Sequence, residues 1–254
     1  MALTIDLNAD LGEGFGQSRA ALDEALLDLV SSANIACGFH AGDAMTMRDT
    51  VRAASFRGVT IGAHPSYPDL PGFGRRELGL PPKEIRRHVA YQIHVLRDVC
   101  GGEAAKLSFV KPHGALYNRA ARDREAATAV VAAIRDVEAS LTLLGLAGSE
   151  MARAAEHAGI SFASEAFVDR AYKPDGTLVP RNEPGAIIQD VKRTAQRAVM
   201  LVKGQTITAD DGSELHLKAQ SLCVHGDNPD ASSILRALRM RLKESGVVIA
   251  PFSG

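Results

Sequence analysis

The chain predicts a parallel α/β fold, a closed or nearly closed barrel of about seven βα units. Short apolar or β-branched runs alternate with longer stretches of helical periodicity, and each parallel return of such a run needs a crossover. No linker or low-complexity segment interrupts the 254 residues, so a single α/β barrel domain over 1–254 is the expected arrangement. Polar, titratable residues recur where the apolar runs end, and in parallel α/β enzymes the carboxyl ends of the strands share one mouth. An open, doubly wound sheet is the alternative.

The first run, Leu3 to Asn8, precedes a helix over Ser18 to Ser31, with Ser18 as N-cap and Leu22, Leu26, Leu29 and Val30 as its buried stripe. Asn34 to Cys37 leads to a helix over Thr46 to Arg57, which Gly58 ends. Val59 to Ala63 opens into a Pro- and Gly-rich loop, Pro65 to Pro82, and then a long helix reaching Cys100. Leu107 to Lys111 is followed by a helix over Arg122 to Val137, and Leu141 to Leu146 by one over Glu150 to Ala158. Ile160 to Ser164 leads into a long polar stretch, Glu165 to Pro184, and a helix over Asp190 to Lys203. Thr206 to Thr208 and Glu214 to Leu217 read as a hairpin around the turn at Asp210 to Gly212. Ser221 to Val224 feeds the last helix, Ala231 to Ser245, and Val247 to Ala250 is a candidate eighth strand.

A hydrophobic fraction of 46% with 23% charged residues fits a soluble globular protein. The net charge of -1 supplies no bulk attraction to nucleic acid or anionic membrane. No apolar run approaches the ~20 residues that span a bilayer. The opening MALTIDLNAD lacks the basic and apolar regions of a signal peptide. Cys37, Cys100 and Cys223 are scattered, which argues against a disulfide framework or structural zinc site and for a reducing, cytoplasmic setting.

In IDLNADLGE, Asp6, Asn8 and Asp10 alternate with apolar residues and share one strand face. Inside a barrel an acid on that face must be paired or functional. Glu13 follows in a Gly-rich loop from which it could reach the mouth. Four histidines, His40, His64, His113 and His225, close apolar runs. His40 with Asp43, and His64 with Asp69, are candidate metal ligands with carboxylate partners, or else neutral proton carriers. Lys111 at a strand end could steady an oxyanion or pair with Asp6 or Asp10. Arg75 could clamp a substrate carboxylate. Glu165, Asp169, Arg170 and Tyr172 begin a loop long enough to act as a lid. The glycines at 12, 14 and 16 match no nucleotide-binding fingerprint, and no Walker motif occurs elsewhere.

The segments DLNADLGEGFG, SANIACGFHAGD, GAHPSYPD with GFGRR, VKPHGALYN, SEAFVDRAY and CVHGD run from Asp6 to Asp227, and in them the chain resembles the LamB/YcsF (lactam-utilisation) family. The resemblance implies a (β/α)7-type barrel like that of glycoside hydrolases and deacetylases. It implies ATP-dependent hydrolytic opening of 5-oxoproline (pyroglutamate) to L-glutamate, performed with two partners, the B and C subunits. ATP would then be bound mainly by those partners, which accounts for the missing phosphate loop. Asp10, Glu13, His40, Lys111 and His113 become the catalytic candidates. Asn8, Asp43, His64, Arg75, Glu165, Arg170, His225 and Asp227 become candidates for binding substrate. Deacetylases of this barrel type use an Asp-His-His metal site, for which Asp10, His40 and His64 stand in position to hold a divalent metal. Two competing expectations are a stand-alone metal-dependent deacetylase or amidohydrolase, and a non-catalytic binding component that presents a ligand to its partners.

Overall fold

Alternation along β1 (Thr4–Leu11) sends Ile5, Leu7, Ala9 and Leu11 into the apolar core, and Asp6, Asn8 and Asp10 to the opposite face. That opposite face is the inside of a barrel. The computed structural model describes residues 3–14, 17–224 and 230–252. In it, β2 (Ser32–Ala36), β3 (Thr60–His64), β4 (Leu107–Val110), β5 (Thr142–Leu146) and β6 (Phe162–Phe167) follow β1 in spatial order, all parallel. A small antiparallel hairpin, β7 (Ile207–Thr208) with β8 (Glu214–Leu215), lies outside the ring. Then β9 (Ser221–Cys223) pairs with both β6 and β1 and closes a barrel of seven strands.

The last run forms β10 (Val248–Ile249), but it is not an eighth stave. It pairs with Thr4 and Ile5 of β1, while β9 takes Asp6 to Asn8 of the same strand. β10 therefore extends the sheet beside the point of closure.

The helices are α1 (Gln17–Leu27), α2 (Ala44–Phe56), α3 (Pro82–Gly102), α4 (Gly114–Arg122), α5 (Arg124–Val137), α6 (Glu150–Ala158), α7 (Val191–Val202) and α8 (Ala231–Glu244). None among the described residues is long and apolar enough to cross a membrane. Three boundaries differ from expectation for local reasons. α1 starts one residue before Ser18 and stops at Leu27, because the N–H of Ser31 donates to the Leu7 carbonyl of β1 (2.9 Å). The expected helix over 122–137 is α5, starting two residues later, and a separate helix, α4, precedes it. Asp123 is extended there, and its carboxylate accepts the N–H of Glu125 (2.9 Å) and of Ala126 (3.3 Å), starting α5 afresh. β6 starts at Phe162 rather than Ile160, because Gly159 ends α6 in the left-handed region and Ile160 N–H still bonds the Ala155 carbonyl (3.0 Å). That offset puts Glu165 inside a strand rather than in the following loop.

The barrel interior is layered. Phe109, Leu144 and Ala163 make an apolar layer with Phe252 packed against it. Nearby, the buried Asp6 carboxylate accepts the hydroxyls of Ser31 (2.6 Å), Ser32 (2.7 Å) and Ser221. Burial outweighs those bonds and raises the Asp6 carboxyl to about 6. Lys111, two residues beyond Phe109, begins the polar layer towards the mouth.

Gly62 on β3 faces the Phe109 ring so closely that a Cβ there would lie 2.1 Å from one ring carbon. Phe109 is fully buried and cannot yield into solvent. We expect Gly62→Ala to cost ~1–3 kcal/mol through overpacking, and Phe109→Leu in the same chain to recover part of it. Urea unfolding checks this; an unchanged midpoint for the single variant would mean the ring can swing aside.

Candidate active site

Lys111 lies just past β4, buried, with its ammonium at the centre of the polar layer. Its Nζ is 3.0 Å from Asp10 Oδ1, 2.9 Å from Glu165 Oε1, 3.1 Å from Asn8 Oδ1 and 3.1 Å from Cys223 Sγ. Burial opposes the charge, but Asp10 and Glu165 hold the Lys111 ammonium well above the ordinary lysine value. Asn8 Nδ2 donates to Glu165 Oε1 (2.9 Å) and Ser221 Oγ (2.7 Å), and Tyr117 Oη donates to Glu165 Oε2 (2.9 Å). Asn34 Nδ2 reaches both Asn8 Oδ1 (2.7 Å) and Asp10 Oδ1 (2.8 Å). Asn8 and Glu165 are thus committed to this network beneath the cleft. Asp10 has Oδ1 anchored from below, while Oδ2 turns to His64 Nε2, 3.4 Å away.

Above Asp10, three imidazoles and a second carboxylate meet. Gly12 takes φ +69°, and its N–H is held by Asp23 (2.8 Å), so the chain turns sharply after β1 and lays Glu13 over the mouth. Glu13 Oε1 is 3.2 Å from His40 Nε2, 3.2 Å from His113 Nδ1 and 3.8 Å from His64 Nε2. The rings of His40 and His113 stack with centroids 3.8 Å apart. Gly74 (φ +63°) closes over them; a Cβ there would sit 2.9 Å from His40 Cβ and 3.0 Å from His113 Cδ2. The neighbouring Phe73 packs edge-on against both rings.

Backbone carbonyls select the tautomers. His64 Nδ1 donates to the Lys111 carbonyl (2.7 Å) and His113 Nε2 to the Phe73 carbonyl (2.9 Å). The nitrogens left facing the site, His64 Nε2 and His113 Nδ1, are 3.0 Å apart. A second proton on His113 or His40 is costly: burial pulls His113 below the usual histidine value, and burial with His113 alongside pulls His40 down to about 3. Acceptor atoms from His64, His113 and Glu13 therefore crowd together. Such a set calls for a shared cation, a proton or a metal. Glu13, His40, His64 and His113 have ligand atoms within 4.8 Å of one another, and all four are buried. Histidines that donate their other ring N–H to a carbonyl are oriented as metal ligands are. The donor set thus fits a divalent ion. The four that converge differ from Asp10, His40 and His64: Glu13 and His113 join, and Asp10 flanks the group.

The other expected site residues are dispersed. Asp43 caps α2 by accepting the Thr46 N–H (2.8 Å). Asp69 binds Arg76, not His64; Arg76 Nε lies 3.0 Å and 3.1 Å from its two oxygens. Arg75 and Arg170 line a cleft of about 520 Å³, together with Asp10, His64, Lys111 and His113. Arg170 ties down the segment after β6, donating from Nη2 to the Val179 carbonyl (2.6 Å) and from Nε to that of Ala186 (3.3 Å). His225 and Asp227 fall outside the described residues. Sequence reasoning misses Asn34 and Tyr117. Asn34 carries a signal that could reveal it, because it alternates with Ala33 and Ile35 as Asn8 does with Leu7 and Ala9. Cys37, Cys100 and Cys223 are free and buried.

Comparison with known proteins agrees in sequence and in fold. The A subunit of 5-oxoprolinase from Methylococcus capsulatus is 51% identical over 254 residues, covering 100% of this chain and 98% of that protein. The corresponding A subunit from Pyrococcus furiosus is 47% identical over 249 residues, covering 98% of each. The crystal structure of a lactam utilization protein from Thermus thermophilus superposes with a TM-score of 0.90 at 42% identity, covering 98% of this chain and 100% of that one. A family 4 carbohydrate esterase from Streptomyces lividans shares the fold alone, with a TM-score of 0.52 at 12% identity, covering 98% of this chain and 93% of that one. The model of the LamB/YcsF family matches residues 5–254, and the chain belongs to that family.

Proposed function

We propose that this chain is the A subunit of an ATP-dependent 5-oxoprolinase, opening the 5-oxoproline lactam to L-glutamate in a cytoplasmic complex with the B and C subunits. The observation that carries the reading is the mouth of the barrel. Two carboxylates, Asp10 and Glu13, and three imidazoles meet there, in a chain about half identical over its full length to proteins named as the A subunit of 5-oxoprolinase. ATP is handled mainly by the partners, since no phosphate-loop motif occurs in this sequence.

Opening the lactam adds water at the ring carbonyl carbon and breaks the C–N bond, and the ring nitrogen takes a proton to leave as the amino group of glutamate. Asp10 Oδ2 faces the cleft and accepts the proton of the attacking water. Asp10 then returns that proton to the ring nitrogen as it leaves. Lys111 has its ammonium surrounded by four acceptors, so it positions Asp10 instead of reaching for the oxyanion. Arg75 or Arg170 clamps the substrate carboxylate. Glu13, His40, His64 and His113 would hold a divalent metal, a nitrogen-rich set suited to an ion such as Zn²⁺. When bound, it would activate water and polarise the carbonyl. The same metal site favours the alternative, a stand-alone metal-dependent deacetylase or amidohydrolase, and turnover without ATP would support that instead.

The purified chain alone should release no glutamate from 5-oxoproline and ATP, and adding the B and C subunits should start release; partner-free, ATP-dependent turnover would place the nucleotide site in this chain. Asp10→Asn should lower activity of the assembled complex by ~10²-fold or more, the contribution of a positioned base. It should also lower the melting temperature, because Lys111 loses one of its two carboxylates. A variant that keeps most of its turnover would leave Asp10 a purely structural partner of Lys111. Calorimetry of the isolated chain with Zn²⁺ should give one site per chain, weakened at least ~10-fold in His113→Ala; equal affinity in the variant would remove His113 from the ligand set.

A further inference from the structure

A second cavity, of about 710 Å³, lies outside the barrel between α5 and α6. Arg124, Thr128 and Arg135 line it from one face of α5, and Arg153 and His157 from one face of α6. From Arg124 to Arg135 is about 16 Å along the helix axis, about three turns. The cavity is therefore a groove that follows the two helices. Its floor is Val131, Ala132, Ala154 and Ala158, each buried or partly buried. Three alanines in that floor let the backbone of a third element pack closely.

The rim of the groove is cationic. Its described lining carries Arg122, Arg124, Arg135 and Arg153 against one acid, Glu150, and Arg153 Nε already takes that carboxylate at 2.9 Å. Arg122, Arg124 and Arg135 are exposed and make no salt bridge among the described residues. Elsewhere on the surface, carboxylates meet arginines, as Glu103 does Arg52 and Asp136 does Arg86. The whole chain has a net charge of -1, so this excess is local. Arg124 is also the first residue of α5, where the helix dipole favours an acid and disfavours a cation. Local helix stability therefore does not account for it. Arg122 lines the catalytic cleft as well, so groove and cleft meet at the end of α4.

We propose that the groove between α5 and α6 docks an acidic amphipathic helix of a partner subunit. The apolar stripe of that helix packs on the alanine floor, and the Asp and Glu residues flanking the stripe pair with Arg124 and Arg135. A partner seated there ends beside Arg122, next to the mouth of the barrel. This rests on the 5-oxoprolinase reading, in which other subunits work on the same substrate as this chain. Two other occupants fit less well. The lining holds no Phe, Tyr or Trp on which a nucleic-acid base would stack. A two-fold contact of groove on groove between copies of this chain would set the arginines against one another.

The test titrates the purified chain with the purified B and C subunits, separately and together, in a calorimeter at low salt. Arg124→Glu/Arg135→Glu should weaken binding by about tenfold or more, and added salt should weaken wild-type binding in the same direction. Thr128→Trp fills the groove without changing its charge and should weaken binding too; Thr128 is exposed, so the fold tolerates the ring. An unchanged melting temperature shows that each variant is folded. In glutamate release by the assembled complex, both variants should raise the chain concentration for half-maximal rate by about tenfold or more, with the rate at saturating chain unchanged. Binding equal to wild type in either folded variant, or no binding of the wild type to B, C or the pair, overturns the docking surface. Dimerisation of the chain that the variants abolish while partner binding holds overturns it as well, in favour of a contact between copies. Weakened binding in a complex that releases no glutamate keeps the surface and overturns the 5-oxoprolinase reading. Full release by the variants at wild-type chain concentrations overturns the surface alone.

Discussion

The charge of Lys111 is the constraint on which the rest of the site depends. A buried ammonium is tolerated only if carboxylates and neutral acceptors surround it. Here the acceptors come from three other strands: Asn8 and Asp10 from β1, Glu165 from β6 and Cys223 from β9. A single cation thereby draws together staves that are far apart in sequence, including the β6, β9 and β1 seam where the barrel closes. Removing one partner would leave a buried charge underpaired, so the network resists piecemeal change. It also leaves Asp10 with one oxygen anchored and the other turned towards the histidines, which is how an interaction that supports folding orients a group for chemistry.

What is legible in the sequence follows the reach of each signal. The alternation of Asp6, Asn8 and Asp10 is a period-two pattern within one strand, and the structure places all three inside the barrel. His40, His64 and His113 are marked by position alone, each at the end of an apolar run, and parallel strands of a closed barrel deliver such positions to one end. The errors are local competitions. Asp43 and Asp69 stand beside histidines in sequence, but a helix N-terminus claims the first and Arg76 the second. Glu165 reads as a lid residue in sequence because the left-handed cap at Gly159 delays β6 by two residues, a shift that composition does not reveal. The helix α4 is hidden because it follows the KPHG turn directly and ends at the Asp123 cap that starts α5.

The convergence of Glu13 with His113 belongs to a different order of information. Glu13 arrives because Gly12 turns the chain and Asp23 holds the turn, and His113 is oriented by the carbonyl of Phe73, forty residues earlier and in another loop. Gly12 is adjacent to Glu13, but the partners that fix the two side chains, Asp23 and Phe73, are remote in sequence. Loops that follow different strands must pack on one another before the ligand-type atoms meet, and Gly74 is where they do so, pressed against His40 and His113 with no room for a side chain.

The tautomers tie these loops to the chemistry. A carbonyl can only accept, so His64 and His113 must each spend a proton on the backbone and turn a lone pair inward. In water such a pair would simply take up protons. Behind Phe73 and Gly74, burial makes that uptake costly for His113 and for His40 stacked on it, and Glu13 lies beside them. The outer wall has the opposite condition, guanidinium groups held near one another around Arg170. The cleft therefore differs along its depth, with carboxylates and imidazoles around Lys111 at the floor and arginines and a lysine at the rim. A ligand that is electrophilic at one end and anionic at the other is aligned by that gradient before any single contact is made, and a neutral or evenly polar amide is not.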